Sequence, residues 1–315
     1  MILVAGYGGA SLSRAEREVM TAARAAGGEI TFVALGGSDA SGENAGSFGA
    51  STVIVFEGSD DEAPYTAAAA AALADVGAEL EPEAVLIPGD ERGLELGPRV
   101  AERLGGSAVT NAVAVETVGG ARLWTRPVFG GKALAKVRTR SDPAVVTVRP
   151  GAFAAAVAEG PVVEAEIRSL PAAGDEVRIV SREAGEASAF DLEGAKIVIS
   201  GGRGVGGAEG FRQLEELASA IGGTVGASLA AVDEGWADGE QQVGLTGKVI
   251  KPELYVAIGI SGASQHLAGM SAAGTVVAIN TDPDAPIFEA ADLGVVMDLK
   301  ELLPALIEEC RRRVG

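Results

Sequence analysis

The chain has 315 residues, of which 47% are hydrophobic, so it exceeds the usual size of one domain and can bury two cores. It carries 25 basic and 44 acidic side chains, and its formal net charge of −19 argues against binding to nucleic acid or to an anionic membrane surface. The acidic surface fits either solubility in a saline or crowded cytoplasm or steering of a basic protein partner.

Targeting and redox signals are sparse. No apolar run reaches the roughly 20 residues that span a bilayer, so no direct membrane insertion is expected. The opening segment MILVAGYGGASLS has no basic residue before its short apolar stretch, which predicts a buried strand and not a signal peptide. The single cysteine, Cys310, excludes an internal disulfide and a cysteine metal cluster. Together these features predict a cytoplasmic protein.

The N-terminal half alternates short apolar runs with longer helical patterns, which predicts βαβ units and a mainly parallel sheet. The predicted strands are Ile2–Ala5, Ile30–Leu35, Ser51–Phe56, Ala84–Pro88, Ala108–Glu116, Arg122–Arg126, Ala144–Val148, Val162–Ile167 and Val177–Ser181. The predicted helices are Ser13–Ala26, Tyr65–Val76 and Leu94–Leu104. Ser13 is the expected N-cap of the first helix, because Glu16 follows it at capping-box spacing.

An aperiodic, acidic segment near Ala187–Glu193 predicts a domain boundary, which divides the chain into residues 1–188 and 189–315. In the second domain the predicted strands are Lys196–Ser200, Thr224–Ala227, Val249–Lys251, Tyr255–Ile260, Thr275–Asn280 and Leu293–Met297. The predicted helices are Glu209–Ile221, Ser264–Met270 and Lys300–Arg312. The fold class is therefore α/β, with two doubly wound domains and ligand sites expected at the carboxyl ends of the strands.

A glycine loop opens the second domain. In IVISGGRGVGG, Gly202, Gly204 and Gly207 satisfy G-x-G-x-x-G between a strand and a helix, and Arg203 adds a positive charge. Such a loop lets a diphosphate approach the backbone at a helix N-terminus. The pattern is also compatible with a merely tight turn. A conventional NAD site is disfavoured, because no acid follows the next strand to hold a ribose hydroxyl.

The only histidine, His266, follows a Gly/Ser loop in AIGISGASQHLAGM. A nucleophile elbow at Ser261 is disfavoured, because Ala263 breaks G-x-S-x-G and the histidine is too near in sequence to act as the base. A structural role is the ordinary alternative for a lone histidine. At the start of a helix, however, its ring can donate a hydrogen bond to a ring carbonyl of a ligand.

Two further segments contain candidate ligand contacts. Asn280 ends a buried strand, where side chains meet ligands in open α/β sheets, and Asp298 ends the last strand. The neighbouring acids do not have the spacing of a calcium loop. In QQVGLTGKVIKPELYVAI, Gly244, Thr246 and Gly247 predict a tight turn that either forms another wall of the same crevice or is an unrelated hairpin.

Taken together, these segments resemble the α subunit of the electron-transfer flavoproteins over nearly the whole chain. The resemblance is carried by PELYVAIGISGASQHLAGM, VVAINTDPDAPIFEAADLGVVMDL, SGGRG, VGAS, the QVGxTGKxxxPELY pattern and RPVFGGKALAKVRT, in the family's order. It implies an N-terminal α/β domain that docks on a β subunit and a C-terminal, Rossmann-like (DHS-like) domain that binds FAD. The partner would hold AMP or a second FAD.

The resemblance also implies the residues that bind FAD. Thr246 is expected toward the flavin N5, His266 near the pyrimidine carbonyl, and Asn280 and Asp298 at the adenosine half. The complete implied set is Arg203, Gly204, Ser228, Val243, Gly244, Leu245, Thr246, Gly247, Ser261, Gly262, Ala263, Ser264, Gln265, His266, Asn280, Asp298 and Leu299. No metal site is implied.

Two residues depart from the family pattern. Family members usually carry Arg where this chain has Leu229, and Gln where it has Leu245. Because a guanidinium would stabilise negative charge on a reduced flavin, its replacement by Leu predicts a lower reduction potential. The departures also leave open a weakened FAD site or a charge supplied by the partner.

The implied function is electron transfer on bound FAD, without turnover of a small substrate by this chain alone. Electrons would arrive from flavin dehydrogenases, such as the acyl-CoA dehydrogenases of fatty acid β-oxidation, and leave to a quinone reductase. The alternatives are a subunit of an NADH-dependent bifurcating flavoprotein and an FAD-binding scaffold with altered redox function. An NAD-dependent dehydrogenase is less favoured, because no acid–base group accompanies the glycine loop.

Overall fold

The computed structural model describes residues 1–7, 11–36, 45–57, 66–129, 131, 133–171 and 192–314. The chain divides into two compact units, Met1–Arg182 and Glu183–Gly315. The boundary predicted between residues 188 and 189 and the predicted strand Val177–Ser181 both lie outside the described residues.

The first unit is built on a parallel sheet that is buried on both faces. Its described strands are β1 Ile2–Gly6, β2 Ile30–Leu35, β3 Thr52–Glu57, β4 Ala84–Pro88, β5 Ser107–Ala112, β6 Ala114–Val118, β7 Ala121–Val128, β8 Ala133–Val137, β9 Ala144–Val148 and β10 Ala165–Ser169. The described helices are α1 Arg14–Ala26, α2 Thr66–Leu80 and α3 Glu91–Arg103. The parallel sheet has the order β10-β3-β2-β1-β4-β9-β5.

The alternation of side chains along β1 shows how this sheet separates two cores. Ile2 and Val4 pack on the face that α1 covers, and Leu3 and Ala5 pack on the face covered by α2 and α3. Both sets are fully buried, which explains why the central strands are continuous apolar runs and do not alternate apolar with polar residues.

The predicted strand Ala108–Glu116 is wrong as a single element. The chain breaks at Val113, and β6 joins β7 and the unpredicted β8 in a separate antiparallel sheet. The pairing of β5 with β9 shifts register between Val109 and Ala112, and Asn111 has a φ of +63°. This irregularity redirects the chain out of the parallel sheet, in the manner of a β-bulge.

The second unit also contains a parallel, doubly wound sheet. Its described strands are β11 Ile197–Gly201, β12 Thr224–Ala227, β13 Leu254–Ile258, β14 Thr275–Asn280 and β15 Leu293–Val296, in the order β12-β11-β13-β14-β15. Its described helices are α4 Ala208–Ile221, α5 Leu229–Asp233, α6 Ser264–Met270 and α7 Leu299–Val314. The predicted α/β class with mainly parallel sheets is confirmed in both units. Within the described residues, no helix is both long and apolar enough to cross a membrane.

The predicted strand Val249–Lys251 is wrong. Lys248 makes a single bridge to Val243, and the chain then continues without ladder pairing. The Ile250 N–H donates to the carbonyl of Gly269, at the end of α6, instead of to a neighbouring strand. Pro252 then removes the next donor that a strand would need.

The capping box at the start of α1 predicts that Ser13 stabilises the first unit. The Ser13 hydroxyl accepts from the Glu16 N–H, and the Glu16 carboxylate accepts from the N–H groups of Ser13 and Tyr7. We expect Ser13→Ala to lower the free energy of unfolding by about 1 kcal/mol, because helix donors lose their acceptor. Urea unfolding of the purified chain measures the change. Ser11→Ala, at an exposed position before the helix, is the control, and equal midpoints for the two variants would contradict the cap's role.

Candidate functional site

A cavity of about 660 Å³ lies at the carboxyl ends of four neighbouring strands of the second unit. Residues that follow β11, β12 and β13 line it, and Asn280 at the end of β14 completes this edge. Ligands in open α/β sheets bind at this edge, and the volume is in the range of small-molecule and cofactor sites.

The loops that follow β11 and β13 contact each other backbone to backbone. The Gly204 N–H donates to the Gly259 carbonyl over 3.0 Å. A Cβ on Gly204 would come within 2.8 Å of the Gly259 Cα and carbonyl oxygen, and Gly259 itself has a φ of +61°. A side chain at Gly204 would therefore force the two loops apart. Arg203, in the same loop, is exposed and lines the cavity.

The segment Gln242–Thr246 forms a second wall. The Val243 N–H donates to the Ala227 carbonyl over 2.8 Å, and the Leu245 N–H donates to the Gln265 carbonyl over 2.8 Å, so the segment is held between β12 and α6. The Gln242 side-chain amide donates to the Thr246 hydroxyl oxygen over 2.9 Å. Because this oxygen already accepts a hydrogen bond, the Thr246 hydroxyl keeps its own proton for donation elsewhere.

His266 lines the cavity, and the residue as a whole is only 6% exposed. Its Nε2 is 2.7 Å from the Tyr255 hydroxyl, and its Nδ1 has no hydrogen-bond partner among the described residues. Burial lowers the pKa of His266 to about 4, and the nearby Val243 backbone, which favours a protonated ring without making a well-aligned hydrogen bond, opposes this shift only weakly, so the ring is neutral at pH 7. Neither ring nitrogen is bonded to Ser261, which argues against the hydrolase alternative.

Part of the cavity wall is apolar. Leu229 and Leu245 line it and remain 48% and 64% exposed, respectively. Leu229 begins α5, whose N-cap is Ser228, and the Ser228 hydroxyl accepts from the Ala231 N–H. The two departures noted in the sequence therefore lie together in the cavity and bring no charge to it.

The cavity brings together most of the residues expected to bind FAD. Those that line it are Arg203, Gly204, Ser228, Val243, Gly244, Leu245, Thr246, Ser261, Ala263, Gln265, His266 and Asn280. The lining therefore unites the glycine loop, the Thr246 turn and the His266 segment, although they are far apart in the sequence. Their contacts with the cofactor remain a prediction.

Five expected residues lie outside the lining, and the structure gives each of them a place in the fold. The Gly247 N–H donates to the Gly244 carbonyl, and a Cβ on Gly262 would come within 2.2 Å of the Ile287 nitrogen. Ser264 begins α6. The Asp298 carboxylate accepts from the Lys300 N–H at the start of α7, and Leu299 is buried in the core.

Several lining residues were not in the set expected from sequence. They are Leu229, Ala230, Asp233, Gln242, Gly259, Ile260, Asp282, Ala285 and Pro286. Gly259 and Ile260 are the last two residues of the predicted strand Tyr255–Ile260 and follow the observed β13, so the rule on strand ends could have found them. Asp233 follows Leu229 by one turn of α5, a short helix that the sequence pattern did not indicate.

The neutral state of His266 predicts a pH-dependent stability. The unfolded imidazole has an ordinary pKa near 6.5, so the folded state binds fewer protons below that pH. The associated stability is fully present above pH 6.5 and is lost as the pH falls toward 4. We expect a loss of about 2 kcal/mol between pH 7 and pH 5, measured by urea unfolding of the second unit. The His266→Gln variant is the control, and an equal loss in that variant would contradict the assignment.

Comparison with known families agrees with this geometry. Residues 1–174 match the electron transfer flavoprotein domain, and residues 191–271 match the electron transfer flavoprotein FAD-binding domain. The second match covers most of the segments that form the cavity.

Individual relatives extend over nearly the whole chain. The electron transfer flavoprotein subunit alpha of Syntrophomonas wolfei is 39% identical over 298 residues, with 94% of each chain covered. The subunit of the same name from Mycobacterium leprae is 38% identical and covers 100% of this chain and 99% of its own. That of Thermoanaerobacterium thermosaccharolyticum is 41% identical, with 84% and 82% covered. The chain therefore belongs to the family of electron transfer flavoprotein α subunits, a family whose members pair with a β subunit.

Proposed function

We propose that this chain carries electrons on FAD bound in the cavity of its second unit, as one subunit of a heterodimer. The main support for this proposal is the cavity itself, which lies at the carboxyl ends of four parallel strands. Most of the segments that form it match an FAD-binding domain. FAD, when bound, accepts electrons from one protein and passes them to another. Every other part of the proposal concerns how this chain holds and surrounds that group.

The residues present fit a cofactor with a diphosphate and a polar ring. Arg203 lies exposed beside the Gly204–Gly259 contact, where it can pair with phosphate. Thr246 has a hydroxyl proton available, and His266 has a buried nitrogen to which the described part of the chain offers no partner. A buried polar atom without a partner is costly, so a ligand that satisfies Nδ1 would remove that cost.

We assign the other expected contacts on the same basis. Ser261, Ala263 and Gln265 surround the start of α6, which lacks a side-chain cap. Asn280 is fixed by donating to the Ile260 carbonyl over 2.9 Å and by accepting from the Asp282 N–H. Gly247, Gly262, Ser264, Asp298 and Leu299 would act by shaping or flanking this site, since they lie outside the lining.

We further propose a division of labour between domains, with residues 189–315 binding FAD and residues 1–188 docking on the β subunit. The β subunit would hold AMP or a second FAD. Flavin dehydrogenases such as acyl-CoA dehydrogenases would be the donors and a quinone reductase the acceptor. The match of residues 1–174 to a domain distinct from the FAD-binding one supports this division. The single cysteine is compatible with a cytoplasmic carrier.

The first test is the flavin content of this chain co-purified with its β subunit. We expect one FAD per heterodimer, visible in the absorption spectrum and reducible by dithionite under anaerobic conditions. Two FADs would favour the NADH-dependent bifurcating alternative. A colourless complex that does not take up added FAD would refute the proposal. Gly204→Val should lose the flavin, and Gly239→Val, at a position with open space around it, should keep it.

The apolar wall at Leu229 predicts a low reduction potential. The charged side chains that line the cavity include two carboxylates, Asp233 and Asp282, against the Arg203 guanidinium. A guanidinium at position 229 should stabilise an added electron by about 1–2 kcal/mol, which raises the midpoint potential by roughly 40–90 mV for one electron. A redox titration of the Leu229→Arg complex measures the shift. Leu229→Gln adds polarity without charge and should move the potential much less, and an unchanged potential in Leu229→Arg would contradict this role.

A further inference from the structure

Among the buried polar side chains of the second unit are a serine, a tyrosine and a histidine, and one of these three reaches the cavity. Ser200 on β11 and Tyr255 on β13 are both fully buried, and His266 on α6 is almost so. The Tyr255 hydroxyl is 2.7 Å from the His266 Nε2, and the two rings are tilted by 50°. Only His266 of the three lines the cavity.

The direction of the hydrogen bond between Tyr255 and His266 follows from where each group can place its proton. Burial raises the pKa of the Tyr255 phenol, so the hydroxyl keeps its proton at neutral pH. Tyr255 then donates its own proton to Nε2. In the reverse direction Nε2–H would donate to the phenol oxygen, and the buried phenol proton would have no acceptor, because the described residues give it no partner other than Nε2 and the Ser200 hydroxyl makes no hydrogen bond.

We propose that Tyr255 is a positioning residue that fixes His266 as the tautomer protonated on Nδ1, so that the imidazole presents a hydrogen-bond donor to the bound ligand. With Nε2 accepting from Tyr255, the one proton of the neutral ring lies on Nδ1, which has no hydrogen-bond partner among the described residues. The tautomer is a property of the protein alone. The ligand's identity, a flavin ring with carbonyl acceptors, rests on the proposed function.

As a consequence, His266 would offer the ligand a neutral hydrogen-bond donor and not a cationic imidazolium. A hydrogen bond from Nδ1 would hold a ring carbonyl in register with the Thr246 hydroxyl on the facing segment. Because the imidazole carries no charge, it would orient the ring with less effect on the reduction potential than an imidazolium would have. His266 would thus set the position of the flavin ring, and the residue at position 229 would set its reduction potential.

The single histidine makes the tautomer directly measurable. The full chain, labelled with ¹⁵N-histidine and studied without flavin, contains one imidazole, and long-range ¹H–¹⁵N correlation spectra distinguish its two neutral tautomers. We expect protonated Nδ1 and unprotonated Nε2 at pH 7. Protonated Nε2, a fast mixture of both tautomers, or an imidazolium would each overturn the proposal, whether or not the chain binds FAD.

Two variants extend the test to the ligand. In Tyr255→Phe we expect the preference for Nδ1–H to be lost and the dissociation constant for FAD in the complex with the β subunit to rise about threefold to tenfold. Tyr7→Phe is the control: it removes a partly buried hydroxyl of the first unit, which donates to Asp90, and should change neither the tautomer of His266 nor the affinity for FAD.

The outcomes separate the two proposals. A wild-type chain with the Nδ1–H tautomer that takes up no FAD refutes the proposed function and leaves the role of Tyr255 standing. A chain that binds FAD while Tyr255→Phe retains both the tautomer preference and the affinity refutes the role of Tyr255. The wild-type spectrum decides the tautomer even where Tyr255→Phe does not fold.

Discussion

The arrangement of the site depends on the close approach of two glycine backbones. Loops that leave adjacent parallel strands ordinarily diverge to make room for side chains, but here Gly204 and Gly259 remain in contact. Gly202 is under the same restriction, because its Cβ would lie 2.3 Å from the Gly259 carbonyl oxygen. The contact fixes the two loops relative to each other, and these loops bring Arg203 and Ser261 into the lining of the cavity.

The sequence predicted the frame of the second unit because its central strands are mainly apolar runs that are followed by glycine or a small polar residue. Such patterns locate β11, β13 and β14 and therefore the edge where ligands bind. They did not locate α5, since five residues are too few to show a helical period. Val249–Lys251 has a strand's composition, but Pro252 and the contact of Ile250 with α6 leave it without a pairing strand.

Contacts between segments were beyond the reach of any local pattern. Thr246 and His266 could each be proposed from the neighbouring glycines, but the Gln242 amide that orients Thr246 and the Tyr255 hydroxyl that bonds His266 appear as ordinary loop and strand residues in the sequence. Asp298 shows the converse. A carboxylate after a strand suggests a ligand contact, yet its oxygen accepts a hydrogen bond from the backbone N–H of Lys300 at the start of α7. Position in the sequence alone does not distinguish such a local capping interaction from a ligand contact.

The free-energy cost of burying polar side chains near the cavity indicates that these side chains are kept for function. In the described part of the second unit, the buried side-chain atoms without a partner are the Ser200 hydroxyl oxygen and the His266 Nδ1. Apolar residues of similar size at these positions would avoid the desolvation cost of both groups. The same sheet elsewhere consists of well-packed Val, Ile and Ala, so the fold does not require polar groups here. Local departures of this kind are found where a site needs a polar atom that the folded chain alone does not satisfy.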